Sequence, residues 1–267
     1  MRGYISYFKT VLLSGLQYKT AAIAGILTQF FWGFLQIFIY QAFYQGTKGE
    51  VSMDFDKLVT YIWLQQALLT LVFVRIRDES IAKSIKNGSV AYEIVRPYNL
   101  YVWWYVQCIA KRLAAVILRS GLLIIVALFL PKPYNLSLPA SWSSFGMSCL
   151  NLFFGALIVT AITVIIHSIA FYIYDDKGIA CVIYNLAELL SGTSLPLPLL
   201  PNVVQKICLL FPFWLIGDLP FRIYSGDILI SESLKYLGLQ AFWLVALIII
   251  GAVILKHAMK KVYIQGG

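Results

Sequence analysis

Six stretches of the chain are apolar almost without interruption: residues 21–43, 58–74, 113–130, 145–174, 179–195 and 236–255. Each is close to the ~20 residues that a helix needs to cross the hydrocarbon of a bilayer. The pattern predicts six transmembrane helices and an all-α membrane domain covering residues 1–267, with no soluble domain beside it. Ahead of the first run, residues 3–17 alternate differently. Tyr4, Ile5, Phe8, Leu12 and Leu13 fall at helical spacing with Lys9 opposite, and no small-residue cleavage site precedes Ala21. This segment is expected to be retained as an amphipathic helix on the membrane surface, not removed as a signal peptide.

Two polar interruptions stand apart from ordinary loops. Between the second and third runs, residues 75–97 read RIRDESIAKSIKNGSVAYEIVRP. Asp78 or Ser80 can cap a short helix there, Ile81 and Ile85 share one face, Glu79 and Lys83 form an i,i+4 pair, and Asn87-Gly88 is a C-terminal stop. Lys86 adds a further cation. A second short element over 90–95 ends at Arg96-Pro97, because proline disfavours helical geometry in the residue before it.

Between the fifth and sixth runs, residues 191–227 are too apolar for a solvated loop. They are also broken by Pro196, Pro198, Pro201, Pro212 and Pro220. Residues 203–210 and 213–219 are each too short to cross. Irregular backbone at membrane depth persists only where protein or a water-filled cavity satisfies its polar groups. Two short re-entrant helices are therefore expected, with Asp218, Arg222 and Asp227 near the headgroups.

Composition agrees with the pattern: 60% of the residues are hydrophobic, 12% are charged, and the mean hydropathy is +0.80. Net charge is +9, which raises nucleic acid as a partner. The basic residues flank apolar runs instead of forming one stripe, so membrane lipids are the expected partner and nucleic acid is not. With the N-terminus inside, fourteen Lys and Arg fall in cytoplasmic segments and six outside. That bias places both termini in the cytoplasm.

Catalytic and metal chemistry find no support in the sequence. Cys108, Cys149, Cys181 and Cys208 lack CxxC spacing, and His167 and His257 have no ligand pattern around them. There is no phosphate loop, nucleophile elbow or zinc-protease motif, so any ATP used must be bound by another chain. Asp175-Asp176-Lys177 is the nearest approach to a catalytic cluster, and a short charged inner loop explains it better.

Polar residues inside the spans are costly and so point to function or packing. Gln29 and Gln36 share a face of the first span, and Gln65 and Gln66 sit near the middle of the second. They either line a path or glue helices, each interhelical bond being worth on the order of 0.6 to 2 kcal/mol. Glu188 is the one carboxylate inside a predicted span. Its burial favours the neutral form unless a cation or water reaches it. On the third span Lys111 and Arg112 can snorkel to the cytoplasmic interface. Arg119, about 10 Å deeper at 1.5 Å per residue, is the better cavity or subunit-interface charge. Trp103, Trp104 and Trp142 suit interfacial anchors.

Taken together, the amphipathic start, the inner run ending NGSVAYEIVRP, the outer SGTSLPLPLLP followed by Phe211, Pro212 and Phe213, and the terminal VYIQGG resemble the permease subunits of type-2 ABC exporters. The branch concerned has permeases close to this chain in length, usually encoded with an ATPase and a second permease. The resemblance runs over nearly the whole chain through the order and spacing of these segments. It implies a cytoplasmic ATPase dimer that carries ATP and Mg and acts on residues 78–88 as a coupling helix. It further implies that 3–17 is a connecting helix, that the broken segment 196–219 shapes an outer gate, and that a second permease subunit, related or identical, completes the path. A bacterial plasma membrane is the expected location, and a drug, antibiotic peptide or lipid-like compound the expected cargo. An ion-coupled secondary transporter using Glu188 and an integral-membrane enzyme are the competing readings.

Overall fold

A computed structural model describes residues 2–46, 52–76, 78–173 and 177–260, with only the backbone described for residues 21, 177 and 179. Asp175 and Asp176, the cations Lys48, Arg77 and Lys261, the side chain of Lys177 and the terminal VYIQGG lie outside the described residues or atoms. Eleven α-helices follow one another and no strand forms among the described residues. They are α1 Arg2–Gly15, α2 Lys19–Gly46, α3 Phe55–Val72, α4 Glu79–Lys86, α5 Ala91–Ile94, α6 Leu100–Leu128, α7 Trp142–Ile169, α8 Lys177–Leu190, α9 Asn202–Leu209, α10 Asp218–Tyr224 and α11 Ile230–Met259. A 3₁₀ turn, Ala170–Tyr172, extends α7, and another, Leu197–Leu199, precedes α9.

All six apolar runs fall on helices, but only three of those helices are long and apolar enough to cross a membrane: Ala22–Gly46, Trp142–Tyr172 and Ile230–Met259. The other three depart for identifiable reasons. In α6, Lys111, Arg112 and Arg119 interrupt the run. In α3, Asp56, Lys57, Gln65 and Gln66 lower the hydropathy, yet nearly every residue from Leu58 to Val72 is buried, so protein and not lipid surrounds the polar groups. Helix α8 has 14 residues and stops well before 195, at a turn where Gly192 adopts φ +75°. That left-handed conformation strains residues with a Cβ.

Helix α7 lies at the centre. Its second half, from Gly155 to Ser168, is almost wholly buried. On one side it packs against α11, where Gln240 Nε2 donates to the carbonyls of Asn151 and Leu215 at 2.9 and 2.8 Å. On another it receives the approach to α10, and Gly155 makes this possible: a Cβ there would lie 2.5 Å from the Ile216 carbonyl oxygen. The main core joins α2, α3, α6, α7 and α8 around Trp63, Tyr61, Leu123 and Ile158. Outward, α2 and α11 present Leu27, Phe31, Phe242 and Ile249 without protein cover. Such a continuous apolar surface suits a bilayer or another subunit.

Helix α1 has a protein partner as well as an amphipathic face. Tyr4, Tyr7, Phe8, Val11, Leu12 and Gly15 turn inward at i, i+3, i+4 spacing and are half-buried. Contacts of Tyr4 and Tyr7 with Trp103, and of Gly15 with Ala114, advance together along both chains, so α1 runs parallel to the first half of α6. Trp103 is sandwiched between Tyr7 and Tyr98. Trp104 is fully buried and donates to Glu93 at 2.8 Å, so these two tryptophans pack inside the fold and do not anchor an interface.

Candidate functional site

The inner polar stretch folds around Asp78. Its Oδ1 accepts from the Ser80 N–H at 3.0 Å and the Ile81 N–H at 3.4 Å, capping α4 as its sequence suggests. The same carboxylate receives Lys111 Nζ at 2.7–2.8 Å and Gln107 Nε2 at 2.8 Å. The Asp78 N–H donates to His167 Nε2 at 3.2 Å, and the Tyr7 hydroxyl donates to Gln107 Oε1. The Asp78 carboxylate thus ties α4 to α6, its N–H reaches α7, and Gln107 extends the network to α1. Burial alone would raise the Asp78 pKa, but the bonds from Lys111, Ser80 and Gln107 outweigh it and hold the carboxyl below its usual value.

Arg112 completes the inner hub and departs from expectation. It does not snorkel: only 3% of it is exposed. Its guanidinium donates to the carbonyls of Thr70, Phe73 and Ile76 at 3.3, 2.9 and 2.8 Å and to Thr163 Oγ1 at 2.9 Å. Helix α3 ends at Val72, so its last carbonyls lack intrahelical donors, and a cation is favoured at that end. Two adjacent α6 residues therefore clamp the chain on either side of its exit from α3.

Beyond the cap, α4 has two unlike faces. Ile81, Ala82 and Ser84 are buried and Ile85 is half-buried, packed near Leu100, Tyr101, Trp104 and Leu255. Glu79, Lys83, Lys86 and Gly88 face outward, as do Arg96 and Pro97. Gly88 takes φ +74°, the stop expected of Asn87-Gly88. The sequence reading overlooked Tyr92 and Val95, which are 74% and 75% exposed. A signal for them existed: Val90 and Ile94, spaced i,i+4, turn inward and leave these two outside.

A second polar cluster lies where α8 ends. The Tyr61 hydroxyl lies 2.9 Å from the Gly192 carbonyl, Gln65 Nε2 donates to the Thr193 carbonyl at 2.6 Å, and the Tyr40 hydroxyl to the Ser194 carbonyl at 2.9 Å. Irregular backbone is thus satisfied by helix side chains. Asp218 Oδ1 accepts from Tyr61 at 3.1 Å and from the Leu197 N–H at 3.3 Å. Arg222 bridges Asp218 at 3.4 Å and Asp227 at 2.6 Å. Asp218, expected with Arg222 and Asp227 near the headgroups, is completely enclosed by protein.

The second short helix also differs from the expected 213–219. Residues 213–217 turn, and the helix begins at Asp218. Pro220 then occupies its first turn, where a missing N–H costs nothing. Pro196 and Pro198 belong to the 3₁₀ turn, Pro201 precedes α9, and Phe211 and Phe213 stack across Pro212.

The candidate path residues do not converge. Gln66 donates to Gln36 at 3.2 Å and Gln65 is engaged with Thr193, both helix-to-protein contacts. Gln29 is buried with neither amide atom bonded. Glu188, the supposed lone carboxylate, meets Arg75 at 3.3 Å and Ser194 Oγ at 3.1 Å. Arg119 lines a sizeable cavity, of about 630 Å³. No group of three or more His, Cys, Asp or Glu suited to a metal occurs among the described residues.

The family model described as ABC-2 family transporter protein matches residues 26–266. The chain belongs to this family. As an ABC-2 permease it is a membrane protein and a transport component that is not itself catalytic, and membership implies an ATPase partner. Comparison with curated proteins gives no match.

Proposed function

We propose that this ABC-2 permease is half of the translocation unit of an ATP-driven exporter, driven through α4 and α5 by a separate cytoplasmic ATPase dimer that holds ATP and Mg. The observation that carries this reading is the two-faced α4. Its apolar face is buried and its cap is held by α6 and α7, while Lys83, Lys86, Tyr92 and Val95 face outward. A rigid lever with a free outer face is what transmission from a soluble motor requires. Six spans, both termini in the cytoplasm of a bacterial plasma membrane, and a second permease, identical or related, complete the assembly. The cargo is a hydrophobic or amphipathic compound. The Arg75 contact of Glu188 weakens an ion-coupled reading, because a coupling carboxylate must release its proton or ion without a fixed cation beside it.

The test reverses charge on the outer face. Lys83→Glu with Lys86→Glu should leave the permease folded and reduce copurification of its ATPase about tenfold, the scale of buried interfacial charge pairs. Undiminished copurification and transport would remove the coupling assignment.

A further inference from the structure

Arg119 is half-buried, yet among the described residues it has no hydrogen bond or ion pair. Its guanidinium lies against Gly25 of α2, where a Cβ would come within 2.8 Å of its central carbon. The surrounding space is shaped and polar. A cavity of about 630 Å³ between α1, the start of α2 and α6 presents the hydroxyls of Tyr7, Thr10, Ser14 and Tyr18 together with Lys111 and Arg119. A second cavity of about 340 Å³ shares Lys111, Ala115 and Arg119, and reaches Arg112, Thr163 and Thr70. The Thr70 hydroxyl is buried in it with no partner, 6% of the residue being exposed. Three cations meet one carboxylate here: Lys111 is paired with Asp78, Arg112 bonds only neutral oxygens, and Arg119 bonds nothing.

We propose that these joined cavities bind the phosphate headgroup of an anionic membrane lipid, with its chains lying along the start of α2. Desolvated guanidinium groups favour a charged acceptor, and phosphate offers Arg119 a two-pronged one. The hydroxyls of Ser14, Tyr18 and Thr70, which are not engaged elsewhere among the described residues, supply the remaining donors. A lipid fits better than a free anion because Leu13 and Ile23, each next in sequence to a cavity-lining residue, Ser14 and Ala22, are exposed and apolar, as is Leu27 one turn further along α2. The bound lipid would fasten α1 to α2 and α6 beside the Asp78 hub. This inference rests on membrane residence alone and stands apart from the ATPase coupling.

The full chain, purified in mild detergent, is offered equal amounts of phosphatidylglycerol and phosphatidylcholine and examined by native mass spectrometry. Phosphatidylglycerol should be retained about fivefold over phosphatidylcholine, and Arg119→Gln should bring the ratio near one, as removal of one interfacial charge predicts. Gly25→Ala, which crowds the guanidinium without removing it, should lower the ratio in the same direction and serves if Arg119→Gln does not fold. Lys9→Gln, on the exposed face of α1, should leave it unchanged. Equal retention of both lipids by the unaltered chain, or an unchanged ratio in both the Arg119 and Gly25 variants, would overturn the proposal. Displacement of phosphatidylglycerol by inorganic phosphate would overturn the lipid source and leave a free-anion site.

Discussion

Among the described residues two carboxylates are buried, Asp78 and Asp218, and the fold treats them differently. Asp78 is 3% exposed as a side chain, but its partner Lys111 is 44% exposed and faces the two joined cavities. Asp218 is wholly buried, its partner Arg222 is 20% exposed, and Arg222 is held by a second carboxylate, Asp227. The first pair joins α4 to α6 at the edge of an open cavity, within a network that also reaches α1 and α7. The second closes an apolar, proline-broken segment onto α3. A charge pair near water can be broken and remade at low cost, whereas a sealed pair acts as a fixed brace. The inner hub therefore suits a part that moves and the deeper cluster a part that holds the moving elements in register.

The comparison is broken most directly at Arg222. Replacing it by alanine strands Asp218 in a fully buried position and frees Asp227, and should cost about 3–5 kcal/mol of stability. Thermal melting in detergent provides the measurement. The double variant Arg222→Ala with Asp218→Ala should lose less than the sum of the single changes, since it removes the uncompensated charge. A loss below about 1 kcal/mol, the range of exposed pairs, would mean that the cluster is no brace.

At Asp78 the same operation should cost less. Asp78→Ala removes a helix cap, typically about 1–2 kcal/mol, but leaves Lys111 able to reach water. Its pH dependence has a definite sign. The folded-state pKa is depressed, so the carboxylate's stabilisation is complete above the unfolded value of about 4. It disappears as pH falls through the lower folded-state value. The melting temperatures of the unaltered chain and Asp78→Asn should therefore converge on acidification through that window. Curves that stay parallel would show that Asp78 gains nothing from its partners.

What the sequence made visible divides along the same line. The Asp78 cap, the shared face of Ile81 and Ile85 and the Gly88 stop were all legible, because each depends on neighbours within one helical turn; that Ile81 faces the core and not a docking partner was not. The face of α1 was legible only in part: Tyr4, Phe8 and Leu12 turn inward, but Ile5 and Leu13, expected beside them, are exposed. Arg112 was misjudged because its acceptors lie 36 to 51 residues away and become available only where α3 ends. The enclosure of Asp218 was not legible for a similar reason: it involves Tyr61, 157 residues distant, and the close approach of Gly155 to the backbone at Ile216. The lower hydropathy of α3, α6 and α8 has the same long-range origin. Their polar residues are accommodated by protein contacts that no local window contains.

The smallest effect on stability should come from the outer face of α5, and it separates folding from transmission most sharply. Tyr92 and Val95 are largely exposed, and no hydrogen bond of either side chain is observed. Truncating both to alanine should change the melting temperature by an amount equivalent to about 0.5 kcal/mol or less, as for ordinary surface substitutions. If this face receives the ATPase, the same variant should lose copurification while keeping its fold, because exposed aromatic anchors carry a disproportionate share of interface energy. Asp78→Ala should show the opposite order, with stability falling first and docking only as a consequence. A Tyr92 and Val95 double variant that melts as early as Asp78→Ala would place these residues in the fold itself. One that melts normally and keeps its ATPase would move the docking surface onto Lys83 and Lys86 alone.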